Sequence, residues 1–316
     1  MDEFALIREY FGPLSATGDG VVLGIGDDAA ILSPRSGCDL VVTSDTLIRG
    51  RHFPDDCAPY DVGWKALAVN LSDLAAMGAR PRWYTLALSI DVAAPDWLGA
   101  FVAGLRAVGD PCGIRLVGGD TTRGSLSITI TAFGEVDAGT ALRRDGARAG
   151  DIICVTGTLG DAALALQELA NNSRPDPGGD ALQQRLARPL PRIAAGAALR
   201  GLAHAAIDLS DGLCGDLMHV LRASGVGARI DLDSLPMSAA FESRVPTGQR
   251  HRLQACGGDD YELCLCLPPQ RMAEAAGAVD VGLTPVGVIT DTGRLELQDA
   301  TGAPVALEMT AYRHFS

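Results

Sequence analysis

Six short segments place aspartate beside glycine or a small hydroxyl residue. They are Gly26-Asp27-Asp28, Thr43-Ser44-Asp45-Thr46, Leu71-Ser72-Asp73, Gly118-Gly119-Asp120-Thr121, Asp208-Leu209-Ser210-Asp211-Gly212 and Gly257-Gly258-Asp259-Asp260. Carboxylates that converge repel one another, so a cation must neutralise them. Hard oxygen donors, flanking glycines and the absence of His/Cys clusters point to Mg²⁺ rather than zinc. Mg²⁺ commonly bridges a few carboxylates to substrate phosphates, so an acidic chain can hold an anionic substrate. Any one of these segments alone reads as ordinary turn chemistry, because Asp and Gly dominate turns. Together they describe a candidate metal site. A calcium-binding structural protein is the competing class, but Asp231-Leu232-Asp233-Ser234-Leu235 lacks the third ligand and the glycine of an EF-hand loop.

Phosphate chemistry here has no familiar cradle. The chain has no GxxxxGK[ST] loop and no protein-kinase motif set, and its only lysine is Lys65. Backbone N–H groups, arginines and metal are then left to hold phosphate. Gly157-Thr158-Leu159-Gly160-Asp161 follows a predicted strand and precedes an alanine-rich helical run. Such a turn either presents N–H groups to an anion or is a plain strand-to-helix turn.

The elements that position these segments follow from periodicity. Residues 1–11 carry apolar positions at helical spacing, and residues 40–43 read as a strand ending at Ser44-Asp45. From Pro59 to Met77 the apolar positions Val62, Leu67, Val69, Leu71, Leu74 and Met77 predict a helix, with Gly78 and Pro81 as its stop. Strands are expected over 83–90, 125–136 and 151–156, a second helix over 96–109, and a buried strand where Cys264 and Cys266 alternate with leucines. The expected fold class is α/β or α+β in two domains, 1–138 and 139–316, joined through the small polar stretch 137–150. The stretch 171–180 reads as a flexible surface loop.

Composition narrows the function classes. A net charge of −13 without a basic stripe argues against a nucleic-acid groove. No uncharged apolar stretch is long enough to span a membrane, and Met1-Asp2-Glu3-Phe4 lacks the features of a signal peptide. The eight cysteines form no C-x-x-C pair and read as reduced buried thiols of a cytoplasmic protein.

At these same residues the chain resembles thiamine-monophosphate kinases, within the superfamily that includes aminoimidazole ribonucleotide synthetase and selenophosphate synthetase. The resemblance rests on Gly24-Ile25-Gly26-Asp27-Asp28-Ala29-Ala30, Ser44-Asp45-Thr46-Leu47 with His52-Phe53, and the long run Lys65 to Ala79. It continues through Gly118-Gly119-Asp120-Thr121-Thr122-Arg123-Gly124, Val155 to Asp161, Ser210-Asp211-Gly212-Leu213, Gly257 to Leu263 and Tyr312-Arg313-His314-Phe315. It implies an N-terminal domain that dimerises through its sheet, a C-terminal α+β domain, and an active site in the cleft between them. It also implies direct transfer of the γ-phosphoryl group of ATP to thiamine monophosphate. Asp28, Thr43, Ser44, Asp45, Asp73, Asp120, Asp208 and Asp211 correspond by position to the family's magnesium ligands. Gly119, Asp120, Arg144 and Ser210 correspond to ATP contacts, and His52, Asp259 and Tyr312 to contacts with thiamine monophosphate. Asp259 stands where the family usually has glutamate, one methylene longer. Cys112 stands near where the family can carry an aromatic against adenine.

The resemblance implies that the attacking atom is a phosphate oxygen, already ionised at neutral pH. Catalysis then reduces to positioning and charge neutralisation, with Asp45, Asp73, Asp120 and Asp208 as its carboxylates and several Mg²⁺ ions opposing the repulsion of two polyanions. Asp73 sits near a helix C-terminus, where the macrodipole disfavours a carboxylate, and that misfit favours a metal-ligand role. The plainer readings are a solvated loop histidine for His52, a solvated basic stretch for Arg144, a turn cap for Asp27 and a core closure for Tyr312. Another enzyme of the same superfamily, or a non-catalytic nucleotide- or metal-binding regulator, is the alternative function.

Overall fold

The computed structural model describes residues 3–15, 18–171 and 180–307. Tyr312 and most of the expected loop 171–180 therefore lie outside the described residues. The chain divides into two compact units, Met1–Leu74 with Ala79–Thr140, and Ala75–Gly78 with Ala141–Ser316.

In chain order the first unit contains α1 (Glu3–Leu6), β1 (Val21–Leu23), β2 (Ile31–Leu32), β3 (Cys38–Ile48), α2 (Pro59–Ala76), β4 (Arg80–Ile90), α3 (Pro95–Cys112), β5 (Arg115–Arg123) and β6 (Ser127–Asp137). The last two residues of α2, Ala75 and Ala76, belong to the second unit. The sheet order is β3-β6-β4-β5, antiparallel except for the parallel pair β4 and β5. Alternation sorts its faces. Leu86, Leu88, Ile90, Ile128, Ile130 and Ala132 are buried on one face. The other carries cross-strand hydroxyl pairs, Ser44 with Thr131 at 2.9 Å and Thr46 with Thr129 at 2.8 Å.

One sequence expectation changes here, and one strand appears that periodicity did not predict. Thr43, Ser44 and Asp45 lie within the eleven-residue strand β3, because its ladder with β6 continues to Ile48. The segment 115–123, which lacks apolar alternation, is a strand because it pairs with β4. Gly119 at φ +149° makes that pairing possible, since a Cβ there would lie 1.9 Å from the Leu86 carbonyl oxygen.

The second unit contains β7 (Ile152–Thr156), α4 (Asp161–Ala170), α5 (Ala181–Ala187), α6 (Ile193–Leu199), β8 (Ala205–Asp208), α7 (Leu213–Ser224), β9 (Gly227–Asp231), α8 (Ala239–Arg244), α9 (Thr247–Cys256), β10 (Leu263–Leu267), α10 (Met272–Ala278), β11 (Leu283–Thr290) and β12 (Leu295–Gln298). Its sheet runs β12-β9-β11-β7-β10-β8, with only the β12–β9 pair parallel. Strand β10 is buried throughout. Cys264 and Cys266 enter a core with Leu217, Val220 and Leu221 of α7, while Leu263, Leu265 and Leu267 enter a core with Ala195 and Leu199 of α6. A strand apolar on both faces thus has helices against both faces. Among the described residues, no helix is long and apolar enough to cross a membrane.

Helices α2 and α3 meet backbone to backbone. A Cβ on Gly104 would lie 2.0 Å from the Tyr60 carbonyl oxygen, and one on Gly63 would lie 2.1 Å from that of Phe101. Gly104→Ala is therefore expected to push the helices apart and lower stability by about 2 kcal/mol or more. Thermal unfolding checks this; a melting temperature at or above wild type would mean that the crossing relaxes without cost.

Candidate active site

Strand β3 and helix α2 bring the first acids together. The Asp45 backbone N–H donates to Asn70 Oδ1 at 3.2 Å, and Asn70 Nδ2 donates to the Ala66 carbonyl at 3.0 Å. Asn70 is fully buried, so this clamp fixes strand to helix. One helical turn beyond, the Thr43 hydroxyl donates to Asp73 Oδ2. Thr43 and Asp45 share a strand face, and Asn70 and Asp73 share a helix face. Burial, reinforced by the neighbouring Asp73 carboxylate, pushes the Asp45 carboxyl up to about 6. Ser44 points to the opposite sheet face, where its hydroxyl meets Thr131 at 2.9 Å and the Ile130 carbonyl at 3.3 Å.

Asp28 is exposed in the connection between β1 and β2, and its N–H donates to Asp27 Oδ1 at 2.8 Å. Both sides of this hairpin are anchored by charge. Before β1, Arg82 donates to Asp19 Oδ1 at 2.8 Å and to the Asp19 carbonyl at 2.7 Å. After β2, Arg35 gives Glu135 its backbone N–H at 2.8 Å and its Nε–H at 2.7 Å, while Arg82 Nε stands 3.4 Å from the same carboxylate. Burial alone would raise the Glu135 carboxyl, but the Arg35 hydrogen bonds and the Arg82 charge outweigh it and hold the group below its ordinary value. Asp120 is exposed on β5, opposite Ala87 of β4, beside Gly119.

His52 lies in the loop after β3 and is half-buried. Its Nδ1 accepts the Ile48 backbone N–H at 3.0 Å, so the neutral ring carries its proton on Nε2 and presents a donor.

In the second unit, Asp208 ends β8 and is buried, while Asp211 is exposed in the turn that leads into α7. The loop 257–261 is laced to this turn. Asp259 N–H donates to the Ser210 carbonyl at 2.9 Å, and Tyr261 N–H to that of Leu209 at 2.8 Å. Asp259 and Tyr261 adopt φ +68° and +51°, strained for side-chain-bearing residues and held by this lacing. Asp216 is buried on α7, and its carboxylate accepts the Asp211 N–H at 3.0 Å. Arg144 is exposed in the chain that enters the unit, and its carbonyl accepts the Ser224 hydroxyl at 2.8 Å.

Three N–H groups of the turn 157–161 are already taken within the unit. Gly157 N–H donates to the Gly282 carbonyl at 2.9 Å, Leu159 N–H to that of Pro236 at 3.0 Å, and Gly160 N–H to the Asp260 carboxylate at 3.1 Å. Nearby, Glu262 is fully buried and accepts from the Thr156 hydroxyl at 2.7 Å, from Arg185 at 2.8 Å and from Arg192 Nε at 2.6 Å. Glu262 thus serves the core, and the plain-turn reading of 157–161 fits.

Among the described residues, no group of three or more His, Cys, Asp or Glu side chains stands ready to hold a metal. The carboxylates of the first unit come as a pair, Asp45 with Asp73, beside hydroxyl oxygen. That donor set suits Mg²⁺, which keeps waters and takes one or two carboxylates plus substrate phosphates. Sequence reasoning did not find Asn70, Arg82, Glu135 or Asp216. Their shared signal is a polar or charged residue inside an otherwise apolar element, which requires a buried partner.

Comparison with known proteins places these residues in context. The model of the AIR synthase related protein, N-terminal domain, matches residues 26–136, and that of the C-terminal domain matches 148–300. A thiamine-monophosphate kinase of Salmonella typhimurium is 46% identical over 323 residues, covering 99% of this chain and 98% of its own. The crystal structure of the thiamine-monophosphate kinase from Stenotrophomonas maltophilia K279a aligns with a TM-score of 0.88 at 46% identity, covering 96% of this chain and 98% of that one. AaThiL complexed with AMPPCP and TMP aligns with a TM-score of 0.78 at 29% identity, covering 99% and 97%.

Glu135→Gln should lower stability by about 3 kcal/mol at neutral pH, because two guanidinium groups lose their shared carboxylate. The folded-state pKa of Glu135 lies below its ordinary value, so its stabilisation is full above the unfolded pKa and fades as pH falls through the folded value. Denaturant unfolding of wild type and variant should show a gap at neutral pH that narrows in acid, below the ordinary glutamate range. An equal gap at both pH values would remove the Glu135 charge as the cause.

Proposed function

Since the chain belongs to the thiamine-monophosphate kinase family, among the AIR synthase related proteins, we propose that it transfers the γ-phosphoryl group of ATP to the phosphate of thiamine monophosphate, giving thiamine diphosphate and ADP. The observation that carries this reading is 46% identity to a thiamine-monophosphate kinase over nearly the whole of both chains. The related AaThiL, complexed with AMPPCP and TMP, supports the same pairing of a nucleotide and a phosphorylated acceptor.

The acceptor oxygen is ionised at neutral pH, so no side chain need remove a proton. The protein's task is to align two polyanions for in-line displacement without a covalent enzyme intermediate. Asp45 and Asp73, with the Thr43 hydroxyl, form the oxygen pair that would hold Mg²⁺. Asp28, Asp120, Asp208 and Asp211 are proposed as further magnesium ligands, by a side chain or through bound water, and Ser44, whose hydroxyl faces the other side of the sheet, through its backbone carbonyl. Mg²⁺ held there would neutralise carboxylates and phosphates together. Gly119, Asp120, Arg144 and Ser210 are assigned to ATP. His52, which presents its Nε2–H, is assigned with Asp259 and Tyr312 to thiamine monophosphate. We further propose a homodimer through the first unit's sheet, supported by exposed Leu40, Val42 and Ile48 on edge strand β3. A cytoplasmic setting is supported by eight cysteines that are all free.

The test is product formation from purified protein, ATP and Mg²⁺ with thiamine monophosphate, alongside free thiamine and an EDTA control. Thiamine diphosphate from the monophosphate alone, lost with EDTA, is expected. ATP binding without product would move the substrate to another member of the superfamily. Asp45→Asn and Asp73→Asn should each lower turnover by about a hundredfold or more while leaving the far-UV circular dichroism unchanged. Near-wild-type turnover in both would remove the pair from the site.

A further inference from the structure

The segment 208–212 carries three residues assigned above to metal and nucleotide, yet beyond Asp208, the last residue of β8, it has no regular structure of its own. Its shape is imposed by a residue outside it. Asp216 lies in the first turn of α7, is only 4% exposed, and receives on its carboxylate the backbone N–H of Asp211 at 3.0 Å, with the N–H groups of Ser210 and Gly212 turned toward the same carboxylate. Its own N–H donates to the Gly212 carbonyl at 3.0 Å, which closes the first turn of the helix around the same loop. One hydrogen-bonded N–H, flanked by two more that face the same carboxylate, leaves little freedom to the backbone between them.

The opposite edge of the loop is fixed as well. The carbonyls of Leu209 and Ser210 accept from Tyr261 and Asp259, and the Leu209 N–H donates to the Glu262 carbonyl at 2.8 Å. The two loops touch without room for side chains: a Cβ on Gly258 would lie 2.5 Å from the Ser210 carbonyl oxygen, and one on Gly212 would lie 2.7 Å from that of Gly257. The N–H edge of the turn is thus tied to Asp216 and its carbonyl edge to the strained Asp259. A change at Asp216 would reach Ser210, Asp211 and Asp259 together.

We propose that Asp216 is a positioning residue for phosphoryl transfer: by accepting the Asp211 N–H and donating its own N–H to the Gly212 carbonyl, it fixes the loop that aims the Asp211 carboxylate and the Ser210 hydroxyl. It touches neither ATP nor thiamine monophosphate. The competing explanation is that Asp216 only stabilises the start of α7, as an acid near a helix N-terminus commonly does. The inference rests on the proposed kinase reading for its kinetic arm, so one arm of the test is independent of turnover.

That arm is amide hydrogen exchange on the full chain. In the wild type, the amides of 210–212 should exchange at least about tenfold more slowly than unbonded loop amides. In Asp216→Asn, which keeps the volume but turns an NH₂ toward the N–H groups, they should exchange about tenfold faster or more. Turnover should fall about tenfold or more, with the Mg²⁺ concentration for half-maximal rate rising by a similar factor and KM for thiamine monophosphate moving less. Leu221→Ala is the control, a buried core change on the same helix. It should lower the melting temperature and leave the exchange of 210–212, turnover and the Mg²⁺ midpoint within about twofold. Wild-type amides that exchange as free loop would overturn the proposal. So would kinetics of Asp216→Asn within about twofold of wild type, or Leu221→Ala reproducing its effects. A wild type that makes no thiamine diphosphate would sink the kinase reading and leave the exchange arm to decide the role of Asp216.

Discussion

The first unit depends on holding a carboxylate where it does not want to be. Asp45 is half-buried on an inward-facing strand position beside Asp73, and its carboxyl is pushed up to about 6. Asp73 sits three residues before the end of α2, in the region where the helix dipole opposes negative charge. Left to themselves, two such groups would move apart or take up a proton. The Asn70 clamp and the Thr43 hydroxyl resist that movement, because one fixes the strand to the helix and the other fixes the second carboxylate. In the proposed function the stored electrostatic cost would become affinity for a cation, and a cation shared with phosphate would let an acidic protein hold polyanions.

Acids elsewhere in the fold behave differently. Glu135 and Glu262 are fully buried, and each is met by two arginines. These are anchors: one fixes the hairpin that carries Asp27 and Asp28, the other fixes the strand that follows Asp259. Asp216 is an intermediate case, buried like an anchor but satisfied by backbone N–H groups, so it shapes a loop rather than joining two elements. The same side-chain chemistry serves as scaffold where arginine or backbone completes it, and would serve as the proposed site where an incoming cation does.

Much of this was legible in the sequence where periodicity and punctuation agree. The helix Pro59–Ala76 follows from its apolar spacing and from Gly78, which adopts φ +66° at its end. Strand β10 follows from unbroken apolarity, and its two faces do enter two cores. Strand β5 was not legible, because Gly118-Gly119-Asp120-Thr121-Thr122 has no apolar alternation and becomes a strand only through close approach to β4. The acid segments suggested a metal site, which stands as a proposal, but they did not reveal the alternation that turns Ser44 away from Thr43 and Asp45. Nor did they reveal Asn70, Arg82, Glu135 and Asp216, whose roles arise from partners far away along the chain. Gly157-Thr158-Leu159-Gly160 looked equally suited to an anion or a plain turn, and only the hydrogen bonds of Gly157, Leu159 and Gly160 decide for the turn.

The most direct measurement of the central claim is Mn²⁺ binding, followed by electron paramagnetic resonance with a non-hydrolysable ATP analogue present, for wild type, Asp45→Asn and Asp73→Asn. Mn²⁺ stands in for Mg²⁺ and reports binding without any turnover. The expected result is a tight Mn²⁺ site in wild type that weakens by about tenfold or more in each variant. Unchanged Mn²⁺ binding in both variants would contradict the claim that this strained carboxylate pair exists to hold a cation.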